Sequence, residues 1–344
     1  MAGRRITMAD VARQAGVSRT AVSFVLGNRH DMRISAQTRE RVMLAAQELG
    51  YRPNLTARGL RTSVTGTIGL VSDTIATTPF AGEVIHGALD SATTRGQVLF
   101  IAETEGDPAT EAEVVAGLLD RQVDGLVYAT MYTREVTPPP SLRGRPLVFL
   151  NCLVEGFGAP TVIPDEHAAG RTAARALLEA GHRDGVHVLG GHHVTARTPA
   201  GALAGHERMQ GILEAFDEAG ACPPVVTECA WEPDEGYEHL RAILRSNTGD
   251  RLPTALICCN DRLALGAYQA LQEAGLSVPD NMSVVSFDDS FLSSWLRPPL
   301  SSVALPHYDL GRTAVELLLA GDLAPVTHRI PMPLRTRSSI APRS

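Results

Sequence analysis

Short apolar segments that alternate with helical segments fill the chain from Thr65 onward, and this pattern constrains the fold more than any other feature. Four strand-like segments come first, at 67–72, 97–103, 125–130 and 146–151. The scheme then repeats at 185–191, 225–230, 254–260 and 283–289. Strands that alternate with helices predict mostly parallel sheets, and two such sets predict two lobes. We therefore predict a doubly wound α/β body of two lobes.

Polar side chains follow several of these strands directly, where open α/β sheets bind their ligands. They are Asn151, Asn260, Asp261, Asp288 and Asp289, with Trp231 after the segment "VVTECA". Groups that donate and accept hydrogen bonds suit the hydroxyls of a sugar or polyol, and an indole can stack on a sugar face. The alternative is structural, with Asn260 or Asp261 capping the next helix and Trp231 in the core. The pattern predicts a ligand cleft that closes by a hinge motion.

The first 62 residues differ from the body in charge. They contain 11 arginines and four acidic residues, a formal charge of +7, whereas the whole chain of 344 residues carries −7 and the remainder therefore −14. A basic segment on an acidic body is expected when only that segment meets a polyanion.

The basic segment has the pattern of a helix-turn-helix. Thr7 and Asp10 form a variant of the capping box, Gly16 ends the first helix and Ser18 caps the second. A third helix follows from Ser35. In this arrangement the second helix lies in the major groove of DNA, and its first two turns carry Arg19, Thr20, Ser23 and Phe24. The alternative is a three-helix interaction module in which Arg19 is merely solvated.

Longer segments resemble the LacI/GalR (lactose-repressor) family of bacterial transcription regulators. They are "TMADVARQAGVSRTAVSFVLGN", "RISAQTRERVMLAAQELGYRPN" and, in the body, "ICCNDRLALGAYQALQEAGLSVPDNMSVVSFDDSFLSSWLRPPLSSV". The resemblance implies a helix-turn-helix domain (1–52), a hinge helix or linker (53–64) and a periplasmic-binding-protein-like effector and dimerisation domain (65–344). It places the N-terminal lobe at about 65–163 plus 303–325, and the C-terminal lobe at about 164–302 plus 326–340.

The resemblance also implies two sets of site residues. The DNA-binding set is Thr7, Ser18, Arg19, Thr20, Ser23, Phe24, Asn28, Asn54, Ala57, Arg58 and Leu60. The effector-binding set is Phe80, Asn151, Arg197, His206, Arg208, Trp231, Asn260 and Asp288. The chain departs from the family pattern at some of these positions. Phe24 and His206 stand where arginine is common, Arg197 is a candidate substitute, and Ala81 replaces an aromatic after Phe80.

The segment "PNLTARGLRTSVTG" (53–66) allows two interpretations. An isolated stretch this short does not hold a helix in water, and Gly59 weakens it further. As a tether it would therefore stay disordered. By resemblance, "NLTARGL" is a hinge helix that orders on DNA, where Ala57 faces the minor groove and Leu60 wedges between base steps.

Other classes of protein find little support in the sequence. There is no apolar run of transmembrane length and no signal peptide, and five cysteines without C-x-x-C spacing favour free thiols. The adjacent Asp288 and Asp289 point to opposite sides of a strand, so they cannot form a glycosidase pair. A metal cluster of His182, His187, His192 and His193 is disfavoured because its spacing does not fit a helical site. An exported sugar receptor would lack residues 1–62.

These observations together predict a cytoplasmic repressor that is not an enzyme and has neither cofactor nor metal. Its predicted partners are a pseudo-palindromic double-stranded DNA operator, a small-molecule effector of sugar type, and a second copy of itself, with no membrane. The dimer interface is expected on the N-terminal lobe, at the helix that follows "TTPF". Induction and corepression both remain open.

Overall fold

The computed structural model describes residues 6–27, 34–51, 64–78, 81–191, 201–246 and 252–343. Contacts divide the chain into two compact units, Met1–Thr65 and Gly66–Ser344. The helices are α1 Met8–Ala15, α2 Arg19–Leu26, α3 Ala36–Glu48, α4 Gly82–Thr94, α5 Pro108–Asp120, α6 Glu166–Glu179, α7 Ala204–Glu218, α8 Pro233–Ser246, α9 Asp261–Glu273, α10 Phe291–Trp295 and α11 His307–Ala320. The strands are β1 Thr67–Ser72, β2 Val98–Glu103, β3 Leu126–Glu135, β4 Leu147–Leu153, β5 Thr161–Pro164, β6 Val186–Leu189, β7 Val225–Thr227, β8 Ala255–Cys258, β9 Ser283–Asp288, β10 Ser301–Ala304, β11 Thr327–Ile330 and β12 Leu334–Arg335.

The first unit is a three-helix domain whose ends are fixed by local chemistry. The Thr7 hydroxyl accepts from the Asp10 amide, and the Asp10 carboxylate accepts from the Thr7 amide at 2.9 Å. Gly16 then takes a left-handed conformation with φ 64° and ends α1. Small apolar side chains close the core: Val11, Ala12, Ala15, Val22, Val25, Val42, Ala45 and Ala46.

The second unit contains two six-stranded sheets, one per lobe. The first has the order β11-β5-β4-β3-β1-β2 with all neighbours parallel. The second has the order β12-β10-β9-β8-β6-β7, in which only β12 is antiparallel. In both sheets the strand order reverses beside the first strand of the lobe, between β1 and β3 and between β6 and β8. Such switch points are where doubly wound sheets bind ligands.

The chain passes between the lobes three times, after β5, after β10 and between β11 and β12. The interpretation that places the chain from about residue 326 in the C-terminal lobe is therefore wrong for Thr327–Ile330, which pairs with β5 of the first sheet. Val303 and Ala304 belong to β10 of the second sheet and not to the N-terminal lobe. β11 is a short edge strand whose four side chains are exposed or partly buried, so its hydrophobic pattern gives little information about its partner.

Three helix pairs cross at reciprocal glycines. A methyl group at either glycine of a pair would overlap the backbone of the opposite helix, so only glycine allows these crossings. The pairs are Gly87 with Gly311 (α4 and α11), Gly170 with Gly211 (α6 and α7), and Gly236 with Gly266 (α8 and α9). The close crossing of α6 and α7 brings Glu166 and Arg208 together beneath the cleft.

Helix α8 lies outside the sequence-based assignment, which leaves the chain between 230 and 254 without an element. Its first turn contains Pro233, two acids and Gly236, and only Gly236 and Leu240 are fully buried in the whole helix. Apolar residues nevertheless recur at helical spacing, at 237, 240, 243 and 244, and pack against the core of this lobe, so the sequence carries a helical pattern that the assignment omits. None of the helices in the described parts of the chain has the length and apolarity needed to cross a bilayer.

Candidate functional site

The carboxyl ends of the strands in the second unit surround a cavity of about 760 Å³ between the two lobes. Residues from both sheets line it, among them Thr130, Tyr132, Asn151, Glu166, Arg208, Trp231, Asn260 and Asp288. A cavity of this volume falls in the range typical of small-molecule sites. The structure thus brings five of the eight predicted effector residues to one cleft.

Arg208 forms the floor of the cavity and is almost completely buried. Its Nε donates to one carboxylate oxygen of Glu166 at 2.5 Å and its Nη2 to the other at 3.1 Å. Its Nη1 donates to the carbonyl oxygen of Cys259 at 2.5 Å. A buried guanidinium requires such pairing, because desolvation of an unpaired charge is costly. These bonds fix the orientation of Arg208 before any ligand arrives.

Aromatic rings hold the same guanidinium from two sides. Its central carbon lies 5.0 Å from the centroid of the Trp231 ring and 4.6 Å from that of Phe287. The indole of Trp231 donates through Nε1 to the carbonyl oxygen of Gly190 at 2.6 Å. Trp231 is therefore both packed and part of the cavity wall, which combines the two interpretations that the sequence left open.

Asp288 faces the cavity beside Arg208. Its Oδ1 lies 3.6 Å from Arg208 Nη2, and its side chain is 30% exposed. Its backbone has φ 97°, and Asn151 and Asp289 have φ 59° and 49°. Three of the five non-glycine residues with positive φ in the described chain therefore lie at this cleft. Backbone strain of this kind persists where surrounding structure enforces it, often at functional sites.

Asn151 and Asn260 use their side-chain amides within the protein. Asn260 is buried, caps α9 through the Leu263 amide at 2.8 Å and donates to the carbonyl of Trp231 at 3.1 Å. Asn151 donates to the carbonyls of Thr130 and Met131 at 3.0 and 2.7 Å and accepts from Thr133. Their observed contacts position the cleft wall.

Asp261 lies beneath this wall and is also buried. Its carboxylate accepts from the hydroxyls of Ser286, Ser302 and Ser290 and from the Ser290 amide at 2.7 Å. Burial is the main cause that raises the pKa of Asp261 to about 6, and the nearby carboxylate of Asp288 adds to it. The network joins the starts of α9 and α10 to β10, so it stabilises the loop that carries Asp288.

Three predicted effector residues lie elsewhere. His206 is exposed on the first turn of α7 and does not line the cavity. Phe80 and Arg197 fall outside the described residues. The cavity also contains Glu166, which the sequence reasoning missed. Glu166 stands two residues after an apolar strand, whereas Asp288 follows its apolar segment directly.

The histidine cluster considered as a metal site does not form in the described residues. His182 is buried, and its ring nitrogens bond to the hydroxyls of Thr254 and Ser283 at 3.2 and 3.0 Å. Burial lowers the pKa values of both His182 and His187. His192 and His193 fall outside the described residues. None of the five cysteines forms a disulfide bond within the described residues.

The first unit presents the start of α2 to solvent. Ser18, Arg19 and Thr20 are exposed, whereas Ser23 and Phe24 are half-buried beside the buried Val22 and Val25. The Ser18 hydroxyl accepts from the Ala21 amide at 3.1 Å, so it caps the helix. The exposed first turn of a capped second helix is the geometry by which helix-turn-helix proteins present side chains to bases. Asn28 and the predicted hinge residues Asn54, Ala57, Arg58 and Leu60 fall outside the described residues.

Fold and sites together define a class: a two-lobed ligand-binding protein joined to a helix-turn-helix domain. Comparison with known proteins agrees, since residues 7–54 match the family described as bacterial regulatory proteins, lacI family, and residues 174–340 match a periplasmic binding protein-like domain. The HTH-type transcriptional repressor PurR of Haemophilus influenzae (strain PittEE) is 36% identical over 321 residues, which cover 91% of this chain and 90% of that protein.

Solved structures give the same result. A lac repressor dimer bound to operator and the anti-inducer ONPF is 26% identical, with a TM-score of 0.77, and the match covers 98% of this chain and 100% of that one. A complex of the transcriptional regulator CelR with cellobiose is 28% identical, with a TM-score of 0.61 and coverage of 97% and 100%. The chain belongs to the lacI family of bacterial regulatory proteins. It is a DNA-binding transcriptional regulator with an effector-binding domain.

Proposed function

We propose that this protein is a cytoplasmic, homodimeric repressor whose affinity for a pseudo-palindromic operator is controlled by a small neutral polyhydroxy molecule, a sugar, in the cleft. The observation that carries the proposal is that one chain contains both the exposed, capped α2 and the cavity of about 760 Å³. The lac repressor supports the dimer and operator, and CelR with cellobiose supports the sugar. The protein has no catalytic role in this proposal.

The charge of the cavity floor argues for a neutral ligand. Arg208 is one cation opposite two carboxylates, those of Glu166 and Asp288. Arg262 is neutralised by Glu232 at 3.1 Å. A phosphate ester would therefore meet a net negative floor, which costs free energy, whereas hydroxyl groups can donate to Asp288 and accept from the remaining N–H groups of Arg208.

The ligand can control operator affinity because Arg208 is held rigidly at the cavity floor while the two lobes form the cavity walls. A molecule that contacts both lobes favours one angle between them. In a dimer this angle sets the separation of the two DNA-binding domains through the segments 53–64. Coupling of this kind is typically about 1–3 kcal/mol, or roughly 5–150-fold in operator affinity. We propose that segment 53–64 orders on the operator and inserts Leu60 into the minor groove, and that the dimer interface includes α4.

Two measurements on the full chain test the proposal. Selection from a random double-stranded DNA library should enrich a sequence with two half-sites related by a two-fold axis, and removal of residues 1–62 should abolish it. A thermal-shift panel of free sugars, their phosphate esters and nucleosides should show stabilisation by a free sugar, since a ligand at 100 times its Kd adds about 2.7 kcal/mol. Absence of enrichment would disprove the DNA function. Stabilisation by nucleosides or phosphate esters alone would disprove the neutral-sugar effector.

Asp288→Asn is the matched test of the cleft. The change keeps the shape but removes the negative acceptor beside Arg208, so we expect at least about a tenfold loss of affinity for the stabilising sugar. Asp280→Asn, on an exposed turn of the same lobe, is the control and should bind the sugar like the parent. Unchanged binding by Asp288→Asn would show that the ligand does not contact this carboxylate.

A further inference from the structure

Three potential metal ligands converge at the start of α8, behind the segment that carries Trp231. They are the thiol of Cys229, which follows β7, and the side chains of Glu235 and His239 on the first two turns of the helix. Their ligand atoms all lie within 4.8 Å of one another. From this geometry we propose that Cys229, Glu235 and His239 form a zinc site that fixes one wall of the effector cleft.

The pair on the helix already has the spacing of two zinc ligands. Glu235 and His239 are four residues apart and therefore share one helix face. The distance from His239 Nε2 to Glu235 Oε2 is 3.3 Å. Two ligands at about 2.0–2.1 Å from a tetrahedral zinc ion lie roughly 3.3–3.4 Å apart, so the pair needs no rearrangement.

The thiol completes the set with a modest movement. Cys229 is 2% exposed and lies four residues before the first residue of the helix, and its sulfur is within 4.8 Å of the other two ligand atoms. With a zinc–sulfur bond of about 2.3 Å, the sulfur in a tetrahedral site lies roughly 3.5–3.6 Å from its neighbours. The loop that connects β7 to α8 therefore needs to close by no more than about 1.3 Å, and water fills the fourth position.

The charge and the ligand types of this cluster favour zinc over other divalent cations. A thiolate and a carboxylate together balance the charge of one divalent cation, and imidazole with thiolate suits Zn²⁺ better than Mg²⁺ or Ca²⁺. In the described part of the chain the only ion pair of Glu235 is the one with His239. Arg241, the nearest basic residue along α8, instead pairs with Glu238 and lies over the ring of Tyr237. Among the described residues, therefore, no arginine pairs with the Glu235 carboxylate that the metal needs.

The position of the metal site connects it to one wall of the effector cleft. The ligands bracket Trp231 and Glu232, of which the first lines the cavity and the second pairs with the cavity residue Arg262. A metal ion bound to both ends of this segment restricts the movement of that wall. The metal site itself is independent of the proposed function, whereas the role of the restricted wall in effector binding rests on that function.

Cobalt replacement in the full-length, metal-free protein tests the site directly. Addition of Co²⁺ should give strong visible absorption of a tetrahedral ion together with a thiolate-to-cobalt charge-transfer band, and Zn²⁺ should abolish both. Cys229→Ser should remove the charge-transfer band. His239→Gln changes a partly exposed side chain, so it tests the site without disturbing the core, and it should weaken Zn²⁺ binding by about tenfold or more.

Two control variants make the outcomes decisive. Cys222→Ser removes the exposed thiol, and His86→Gln removes an exposed histidine that lies 3.4 Å from Glu83 and 3.6 Å from Asp90 without a thiol nearby. Both should bind Co²⁺ and Zn²⁺ like the parent. Loss of binding in a control, equal binding in all four variants, or absence of the charge-transfer band in the parent would overturn the proposal.

Fluorescence then tests the effect on the cleft wall. The chain has two tryptophans, so Trp295→Phe leaves Trp231 as the sole emitter. Addition of Zn²⁺ should shift the emission of Trp231 in this variant but not when His239→Gln is added. An unchanged emission despite stoichiometric Zn²⁺ binding would overturn the link to the cleft and leave the metal site standing.

Discussion

The polar residues of the cleft are held in their orientations by contacts with neighbouring residues. Arg208 is the example, because Glu166, Cys259 and two aromatic rings hold it in one orientation before ligand binding. Asn260 is also fixed, but its side-chain amide is engaged within the protein, because it caps α9 and donates to the carbonyl of Trp231. A residue at a strand end can thus be read from the sequence as a cleft residue, but whether its polar atoms remain available depends on partners far along the chain.

Arg19→Ala tests base recognition at this scale. Arg19 is the first residue of α2 and is exposed, so it can form the bidentate contact with guanine that discriminates by about 1–3 kcal/mol. We expect a loss of roughly 5–150-fold for the selected operator and little change for random DNA, measured by fluorescence anisotropy. Arg13→Ala, an exposed arginine paired with Asp10 at 3.5 Å, is the control. Equal loss on both DNAs would make Arg19 a phosphate contact.

Asp261→Asn tests the buried carboxylate through pH. Because the pKa of Asp261 is raised to about 6, the folded state holds a proton that the unfolded state releases, and stability falls as pH rises between about 4 and 6. The slope from one such group is at most about 1.4 kcal/mol per pH unit. The variant should lack this contribution. As pH rises from about 4 to 6, its free energy of unfolding in denaturant titrations should therefore increase relative to that of the parent. Parallel curves would contradict the assignment.

At the scale of elements, the glycine crossings decide where the site residues meet. Gly170 and Gly211 let α6 and α7 approach until their backbones touch, and Glu166 and Arg208 lie on these same two helices. Many glycines lie in turns and have a positive φ. Their role can be inferred from the sequence where they directly follow a predicted helix. Local backbone geometry does not require glycine inside a helix, so the role of such a glycine becomes clear only when the opposite helix is known.

Gly211→Ala tests the crossing. The new methyl group would overlap the carbonyl of His167, so the helices must separate, at a cost of about 1–3 kcal/mol and with weaker sugar binding. Gly117→Ala is the control in the last turn of α5, where only the flexible end of Arg121 is close. It should be neutral or stabilise by up to about 1 kcal/mol. Similar thermal midpoints for the two variants would show that the crossing tolerates a methyl group.

At the scale of the effector-binding unit, an ion pair links the two lobes beside the three crossings of the chain. Arg329 of β11 donates to both oxygens of Glu207 in α7, at 2.9 and 3.1 Å. Arg329 belongs to the first sheet and Glu207 to a helix of the other lobe. A bidentate pair of this kind favours the lobe angle seen here, so it contributes to the closure that the proposed mechanism uses.

Arg329→Ala should therefore widen the distribution of lobe angles. We expect a larger radius of gyration without ligand, measured by small-angle X-ray scattering, and up to about a fivefold loss of sugar affinity, since a partly exposed pair contributes about 0.2–1 kcal/mol. Arg312→Ala, which breaks pairs with Asp309 and Glu316 inside the single helix α11, is the control. An unchanged scattering profile for Arg329→Ala would remove the pair from the hinge.

The sequence by itself determined the helix-turn-helix with its caps at Thr7 and Ser18, the two sets of parallel strands, and the strand ends that line the cleft. These features depend on local chemistry and on periodicity, which neighbouring residues specify. Only the tertiary structure decided that β11 joins the first sheet and that Glu166 holds Arg208. Both depend on contacts between residues distant in the chain, and neither an edge strand nor a buried ion pair has a hydrophobic period that identifies its partner.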